Sequence, residues 1–249
     1  MVAARKLKSV LRIADGAGVR PAAILARVGL TEADLADDER LLGQDKWRDV
    51  WHVAVELLDN EAIGLQAGQR VDRGYFGVID YLVRSSPSVG EALDVAVRFF
   101  RLANSHGRLD VIHEDGLVAV ERHVLGDEAG ALPPQAAEFA LASMVQLFRD
   151  AAAPAWRLTR ATFRHPEPRD SEQHRRFFAC PVEFSARADA IVIDESVLSV
   201  GMRAPDPELR RLVASHGETL LRALPESGTI VEEVRRVLLR ELPGARNGS

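Results

Sequence analysis

The sequence predicts an α+β fold: a helical N-terminal part, a small mixed or antiparallel sheet with packed helices, and linker helices at the C-terminus. Three observations carry this expectation. Apolar residues recur at helical spacing through most of the first hundred positions. An Asp-Gly dipeptide at 115–116 then sits between two β-prone runs, the strongest short-range signal for a hairpin. After it, short β-prone stretches alternate with helical ones up to a final pair of capped helices.

The elements follow in chain order. Val10, Ile13, Ala14 and Ala17 share a helical stripe that Gly18 breaks. Pro21 presets the start of a short second helix, which runs through Val28 and stops at Gly29. The TEAD stretch at 31–34 reads as a further helix start. Trp47, Val50, Trp51, Ala54, Val55 and Leu58 form one stripe, the mark of an amphipathic helix facing a core. In SPSVGEALDVAVRFFRLAN the pair Ser88 and Glu91 makes a capping box, so a helix is expected over 88–104.

Beyond the hairpin RLDVIHEDGLVAVERHV, the segment LPPQAAEFALASMVQLFRDAA returns to helix, with apolar area from Phe139, Ala142, Met144, Val145 and Phe148. WRLTRATFRHP reads as a strand ended by Pro166, which cannot donate to a ladder. SEQHRRFFA is a short helix, and VEF and DAIVID are strands, giving a βαβ-like middle. DPELRRLVASHGETLLRAL starts with Pro207 behind an aspartate cap. TIVEEVRRVLLREL starts with a box from Thr229 to Glu232 and carries a narrow apolar seam of Ile230, Val234, Val237 and Leu238.

Composition excludes several function classes. The chain has 249 residues, of which 47% are hydrophobic, enough for a sizeable core in one large domain or two small ones. Its net charge of -5 argues against wholesale binding of nucleic acid or an anionic membrane, both of which need an excess of Lys and Arg on some face. One cysteine forms no internal disulfide. Arg12 and Asp15 interrupt the apolar positions of the basic N-terminus, so no signal peptide is expected. No apolar run approaches the roughly 18 to 20 residues of a spanning helix, and the cytoplasm is the expected location.

Catalytic and metal signatures are missing. HExxH, CxxC, GxxxxGK[ST], GxGxxG and nucleophile-elbow patterns are all absent, so no enzyme activity, cofactor or metal is expected. His113 and His123 face each other across the hairpin only in a favourable register, and no third donor is specified for them. Cys180 and His174 lack a third group to orient the imidazole, and apolar flanks raise a thiol's pKa. Residues 11–35 also have the outline of a DNA-reading helix-turn-helix. Its second helix offers only Arg27 toward a groove, so Ile24, Leu25 and Val28 are expected to pack.

The order of these segments resembles a known family. GVRPAAILARVGLTEADL with its continuation to GLQAGQRV, then GYFGVIDYLVRSSPSVGEALDVAVRFFRLAN, then PQAAEFALASMVQLFR, then FRHPEPRDSEQHRRFFACPVEFSARADAIVID together look like an N-terminal effector domain. The family is that of AraC/XylS-type transcription regulators, in the "arabinose-binding-like" branch with ornithine-responsive and VirS-like members. The resemblance runs over about residues 15–225, and its most specific parts are YFGVIDYLVRSSPSVGEAL and FFACPVEFSARADAIVI. It implies a small-molecule effector, a homodimer, and DNA contact only through a C-terminal helix-turn-helix domain that these 249 residues do not contain. A truncated chain is the favoured explanation, and a stand-alone sensor is the alternative. The implied organisation is an effector and dimerisation domain over 1–225, helical at 1–104, mixed at 105–200 and helical at 205–225. A connecting helix and tail occupy 226–249.

A ligand site needs apolar lining with a few fixed polar groups. The candidates are Tyr75, Phe76, Tyr81, Phe99, Phe100, Glu138, Phe139, Phe178 and Cys180. Most are expected to be core, with Tyr75, Tyr81 and Glu138 the exceptions, because their polar ends require partners when buried. RRFFACPVEF reads as a turn from helix into core strand: Phe177, Phe178, Val182 and Phe184 pack, Cys180 is a small buried hydrophobe, and Pro181 ends the helix. The last helix either pairs with its copy in a dimer or docks on its own domain. A protein-interaction module without a ligand, or an enzyme using Glu138 and a histidine, are the competing functions.

Overall fold

A computed structural model describes residues 2–37, 40–104, 107–124 and 133–224. The expected seam residues Ile230, Val234, Val237 and Leu238 lie outside the described residues.

The N-terminal part is helical. A two-residue strand β1 (Val2–Ala3) pairs antiparallel with β2 (Leu41–Leu42), a feature with no sequence pattern of its own. Between them come α1 (Ala4–Gly16), α2 (Pro21–Arg27) and a 3-10 turn (Glu32–Leu35) capped reciprocally by Thr31 and Asp34. Gly18 and Gly29 end the two helices with positive φ, at 87° and 68°, a conformation glycine takes without a Cβ penalty. Next is α3 (Gln44–Leu58), whose Trp47, Val50, Trp51 and Ala54 are buried as the stripe requires. Ile24, Leu25 and Val28 are buried too, and Arg27 bonds Glu56 of α3, so this helix pair packs within its own domain.

Two short helices follow, α4 (Ile63–Gln69) and α5 (Val78–Ser85), then α6 (Val89–Ala103). Ser88 accepts the Glu91 N–H at 3.3 Å, but the Glu91 carboxylate is committed to Arg210 at 2.5 Å. Only half of the expected capping box therefore forms, because tertiary pairing claims its other half.

The sheet has five strands in the order β3-β4-β7-β5-β6. β3 (Gly107–Glu114) and β4 (Leu117–Val124) make the hairpin, with Asp115 and Gly116 both at positive φ. Its register sets His113 opposite Val118 and His123 opposite Arg108, so the two histidines do not face each other. His113 instead approaches Glu195, and His123 approaches Asp110 and Glu121. β5 (Arg160–Thr162) and β6 (Val182–Glu183) run parallel, linked through α8 (Glu172–Phe178). β7 (Asp189–Asp194) lies antiparallel to both β4 and β5, and its buried run explains the continuous apolar pattern of DAIVID.

The turn after α8 differs from expectation. The helix stops at Ala179, whose left-handed φ of 54° ends it two residues ahead of Pro181. Cys180 is half-buried instead of buried, while Phe178 is core.

The long helix α7 (Pro134–Ala151) is the spine. It contacts α3, α4 and α5 on one side and β7 on the other. Two hydrophobic clusters meet on it: one around the sheet, α5 and α6, the other around α1, α2 and α3. Each large side chain buried there contributes about 1.5–3 kcal/mol. The last described helix, α9 (Pro207–Ala223), begins at Asp206, whose carboxylate accepts the Leu209 N–H at 2.9 Å, and packs on α5 and α6.

Candidate functional site

A cavity of about 80 Å³ lies where the two clusters meet. α7 supplies one wall with Phe139, Ala140, Ser143, Met144 and Leu147. α6 supplies Ala96, Phe100 and Ala103, with Asn104 just after it. Trp47 closes the α3 side, Phe76 and Ile79 the α5 side, and Leu109 the β3 side. The lining is mostly apolar, the usual character of a small-molecule site.

Local structure explains the shape. Gly107 opens β3 without a side chain, and a Cβ there would lie 2.6 Å from the Phe100 ring, so glycine is what admits that ring into the wall. Phe139 stands at the centre of an aromatic group, in edge contact with Trp47, Tyr75 and, more tilted, Trp51, each at 5.8 Å between centroids.

Two charged side chains join the lining, Lys6 of α1 and Arg122 of β4. Lys6 is half-buried and donates to the Ala103 carbonyl at the end of α6. Burial, together with Arg5 and Arg122, pushes its ammonium down to about 7. Arg122 occupies an inward position of β4 between Val120 and Val124 and pairs with buried Asp189 at 3.5 Å.

Of the residues expected from the sequence, the cavity gathers Phe76, Phe100 and Phe139. Tyr75, 8% exposed, stands one layer behind, its ring 5.0 Å from Phe76, and burial raises its phenol above the usual range. Phe99 points to the other side of α6, toward α9. Tyr81 is 43% exposed and takes no part. Phe178 and Cys180 lie at the β5–β6 end of the sheet, where Phe178 packs on Phe163. Burial pushes the Cys180 thiol up to about 11, leaving it protonated and inert.

Glu138 belongs to a second buried cluster. Its carboxylate meets His174 Nε2 at 2.9 Å and lies 3.7 Å from His165, and it accepts the Leu65 N–H at 3.4 Å in the first turn of α4. Phe163 and Phe184 surround the two imidazoles. The cluster ties α4, α7 and α8 together, and His174 faces Glu138, leaving Cys180 without a base. Among the described residues no group of three His, Cys, Asp or Glu side chains is arranged to hold a metal, and no helix is long and apolar enough to cross a membrane.

Lys6, Trp47, Arg122 and Met144 were not among the expected site residues. Trp47 and Met144 read as core because of their helical spacing. Lys6 and Arg122 carried a usable signal: each interrupts an apolar face, Lys6 in the Val10 and Ile13 stripe, Arg122 in the alternation of Val118, Val120 and Val124.

Comparison with known proteins agrees with this architecture. Residues 18–202 match the model of the arabinose-binding domain of AraC transcription regulators, N-terminal. The ornithine utilization regulator of Pseudomonas aeruginosa is 25% identical over 75% of this chain and 55% of its own length. An uncharacterised HTH-type transcriptional regulator of Mycobacterium tuberculosis is 30% identical over 47% of this chain and 36% of its own. The chain thus spans about half the length, or less, of these curated relatives. The crystal structure of the transcriptional regulator CdpR from Pseudomonas aeruginosa superposes with a TM-score of 0.58 at 19% identity, over 91% of this chain and 70% of that one, a likeness of fold. With most of its length matched by one family and its α+β architecture shared with a regulator of known structure, the chain belongs to the N-terminal arabinose-binding domain family of AraC transcription regulators.

Proposed function

We propose that residues 1–225 form an effector-sensing domain, that a small molecule occupies the cavity between the two cores, and that occupancy is passed through α6 and α9 to a C-terminal DNA-binding domain not in this chain. The carrying observation is the position of the cavity against α6. Phe100 lines it, while the neighbouring Phe99 packs on α9, where a Cβ at Gly217 would lie 2.9 Å from the Phe99 ring. Ion pairs Arg98–Glu218 at 2.6 Å and Glu91–Arg210 at 2.5 Å tie the same two helices. A ligand that displaces Phe100 therefore leans on α6 and, through it, on the helix leading to residues 226–249.

α9 exposes Leu212 at 60%, with Leu209 and Leu220 on the same side, which supports pairing with a second copy. The seam of Ile230, Val234, Val237 and Leu238 would extend that pairing. A cytoplasmic location, without a cofactor or catalytic step, belongs to this reading. The effector of the ornithine relative is not carried over with the fold.

A thermal-shift screen of residues 1–249 against amino acids, sugars, aromatic acids and fatty acids tests the proposal. A ligand of the folded state adds RT ln(1 + [L]/Kd), about 2.7 kcal/mol at a hundredfold excess over Kd. A saturable shift that Ala140→Leu abolishes is the expected result. No shift in any class would make the domain an interaction module.

A further inference from the structure

Lysine is scarce in this chain. Of its 32 Lys and Arg residues only Lys6, Lys8 and Lys46 are lysines. The distinction matters where a cation is buried, because a guanidinium keeps its proton in any protein environment, whereas a desolvated lysine releases it and becomes a nucleophilic amine. Of the three, Lys6 is the one that lines the cavity between the two cores.

The geometry suits a neutral amine. Lys6 shares the stripe of α1 that buries Val10 and Ile13, and its nitrogen donates to the Ala103 carbonyl at the end of α6. Ala103 itself lines the cavity, so the amine stands at that wall. A carbonyl only accepts: it orients one N–H and leaves the lone pair of the neutral amine uncommitted. Burial first, with Arg5 and Arg122 adding to it, lowers the ammonium to about 7, so near neutral pH about half of the molecules carry the free amine. An ordinary lysine at about 10.5 is neutral in only about one molecule in three thousand at that pH.

We propose that Lys6 captures a small apolar aldehyde as a reversible imine, with the body of the aldehyde packed on Phe76, Phe100 and Phe139. This deepens the effector reading and rests on it, since the guest must enter the cavity to reach the amine. The nitrogen lone pair attacks the carbonyl carbon and forms the C–N bond. The carbonyl oxygen then takes up the nitrogen's two protons and leaves as one water, so a C=N bond remains and no oxidant or reductant is consumed. Hydrolysis reverses the step and resets the site. Size limits the guest: one water needs about 10–15 Å³ of such space, so about 80 Å³ holds roughly five to eight water-sized groups before the walls move.

Incubation of residues 1–249 with butanal or benzaldehyde at about pH 7, trapping of the imine with cyanoborohydride and peptide mapping by mass spectrometry test the assignment. Lys6 should be labelled at least about tenfold faster than Lys8 and Lys46. Ala140→Leu fills the cavity and should slow that labelling by at least about tenfold, while the α-amino group at residue 1 reacts as before. Saturating benzyl alcohol, which has the size of benzaldehyde but forms no imine, should protect Lys6 and answers the same question if the leucine variant folds poorly. Labelling of Lys8 and Lys46 as fast as Lys6 would overturn the proposal, as would labelling of Lys6 that neither the leucine nor the alcohol slows. If Lys6 stays unlabelled while a compound from the thermal-shift screen binds wild type and not Ala140→Leu, the imine falls and the sensor stands. If Lys6 stays unlabelled and nothing binds, both fall.

Discussion

On one side of α7, Ala142 lies so close to α4 that a methyl group added at Gly68 would sit 2.7 Å from its Cβ, and one added at Gly64 would strike the Gln135 carbonyl. On another side, two residues back along the same helix, Ala140 borders about 80 Å³ of free space. Alanine supplies both surfaces, so composition does not distinguish them. What differs is the partner: glycines of α4 bring backbone against backbone, whereas lysine, arginine and large aromatic rings from several elements meet across a gap. A jammed face has no second arrangement to adopt and serves as an anchor. A face bordering a gap can repack around a guest, and its neighbour α6 carries α9.

The largest expected effect breaks the anchored side. Glu138→Ala leaves His174 and the Leu65 N–H without their buried partner and should lower unfolding free energy by about 3–5 kcal/mol, measured by urea denaturation. Glu138→Gln, which keeps hydrogen-bonding capacity, should lose less. Next comes the same substitution on the two faces: Ala142→Leu overpacks the α4 contact and costs about 1–3 kcal/mol, whereas Ala140→Leu enters free space and changes stability by less than about 1 kcal/mol. Equal losses would mean that the two faces are packed alike.

Lys6→Met sharpens the contrast through pH. The folded chain holds the Lys6 ammonium at about 7 against an ordinary 10.5, so between those values the unfolded chain keeps a proton that the fold has released. Wild-type stability accordingly rises with pH through that window, and the penalty of a charged Lys6 is fully present below it. The methionine variant should be more stable on the order of 2 kcal/mol at about pH 6, with the gain shrinking toward about pH 10, as read from melts across the series. The smallest effect is at Arg27, whose pair with Glu56 is exposed to solvent. Arg27→Ala should leave the denaturation midpoint unchanged.

Legibility in the sequence followed the range of the interaction involved. The hairpin at Asp115-Gly116, the cap at Ser88 and the start at Pro207 are set by neighbours in the chain, and each stands where the pattern put it. α4 and α5 were submerged in a generally helical reading, because seven and eight residues make barely two turns of amphipathic pattern. The end of α8 stands within a residue of the SEQHRRFFA pattern, but its stop is Ala179 in a left-handed conformation that alanine rarely signals, in place of Pro181. At the cavity, Phe76, Phe100 and Phe139 stood out as aromatics, but nothing local separates them from Tyr75 or Phe99, which face other ways. Lys6 and Arg122 lie more than a hundred residues apart, and only the pairing of the sheet and the docking of α1 bring them to one cavity. Their misfit on apolar faces was legible, whereas their meeting was not.

Whether an effector occupies the open face of α7 is tested most directly by titrating wild type and Ala140→Leu, side by side, with the compound that gives the largest saturable thermal shift. The account predicts that Ala140→Leu weakens binding by at least about tenfold while its unfolding midpoint holds. Undiminished binding in that variant would put the effector elsewhere on the domain and contradict it.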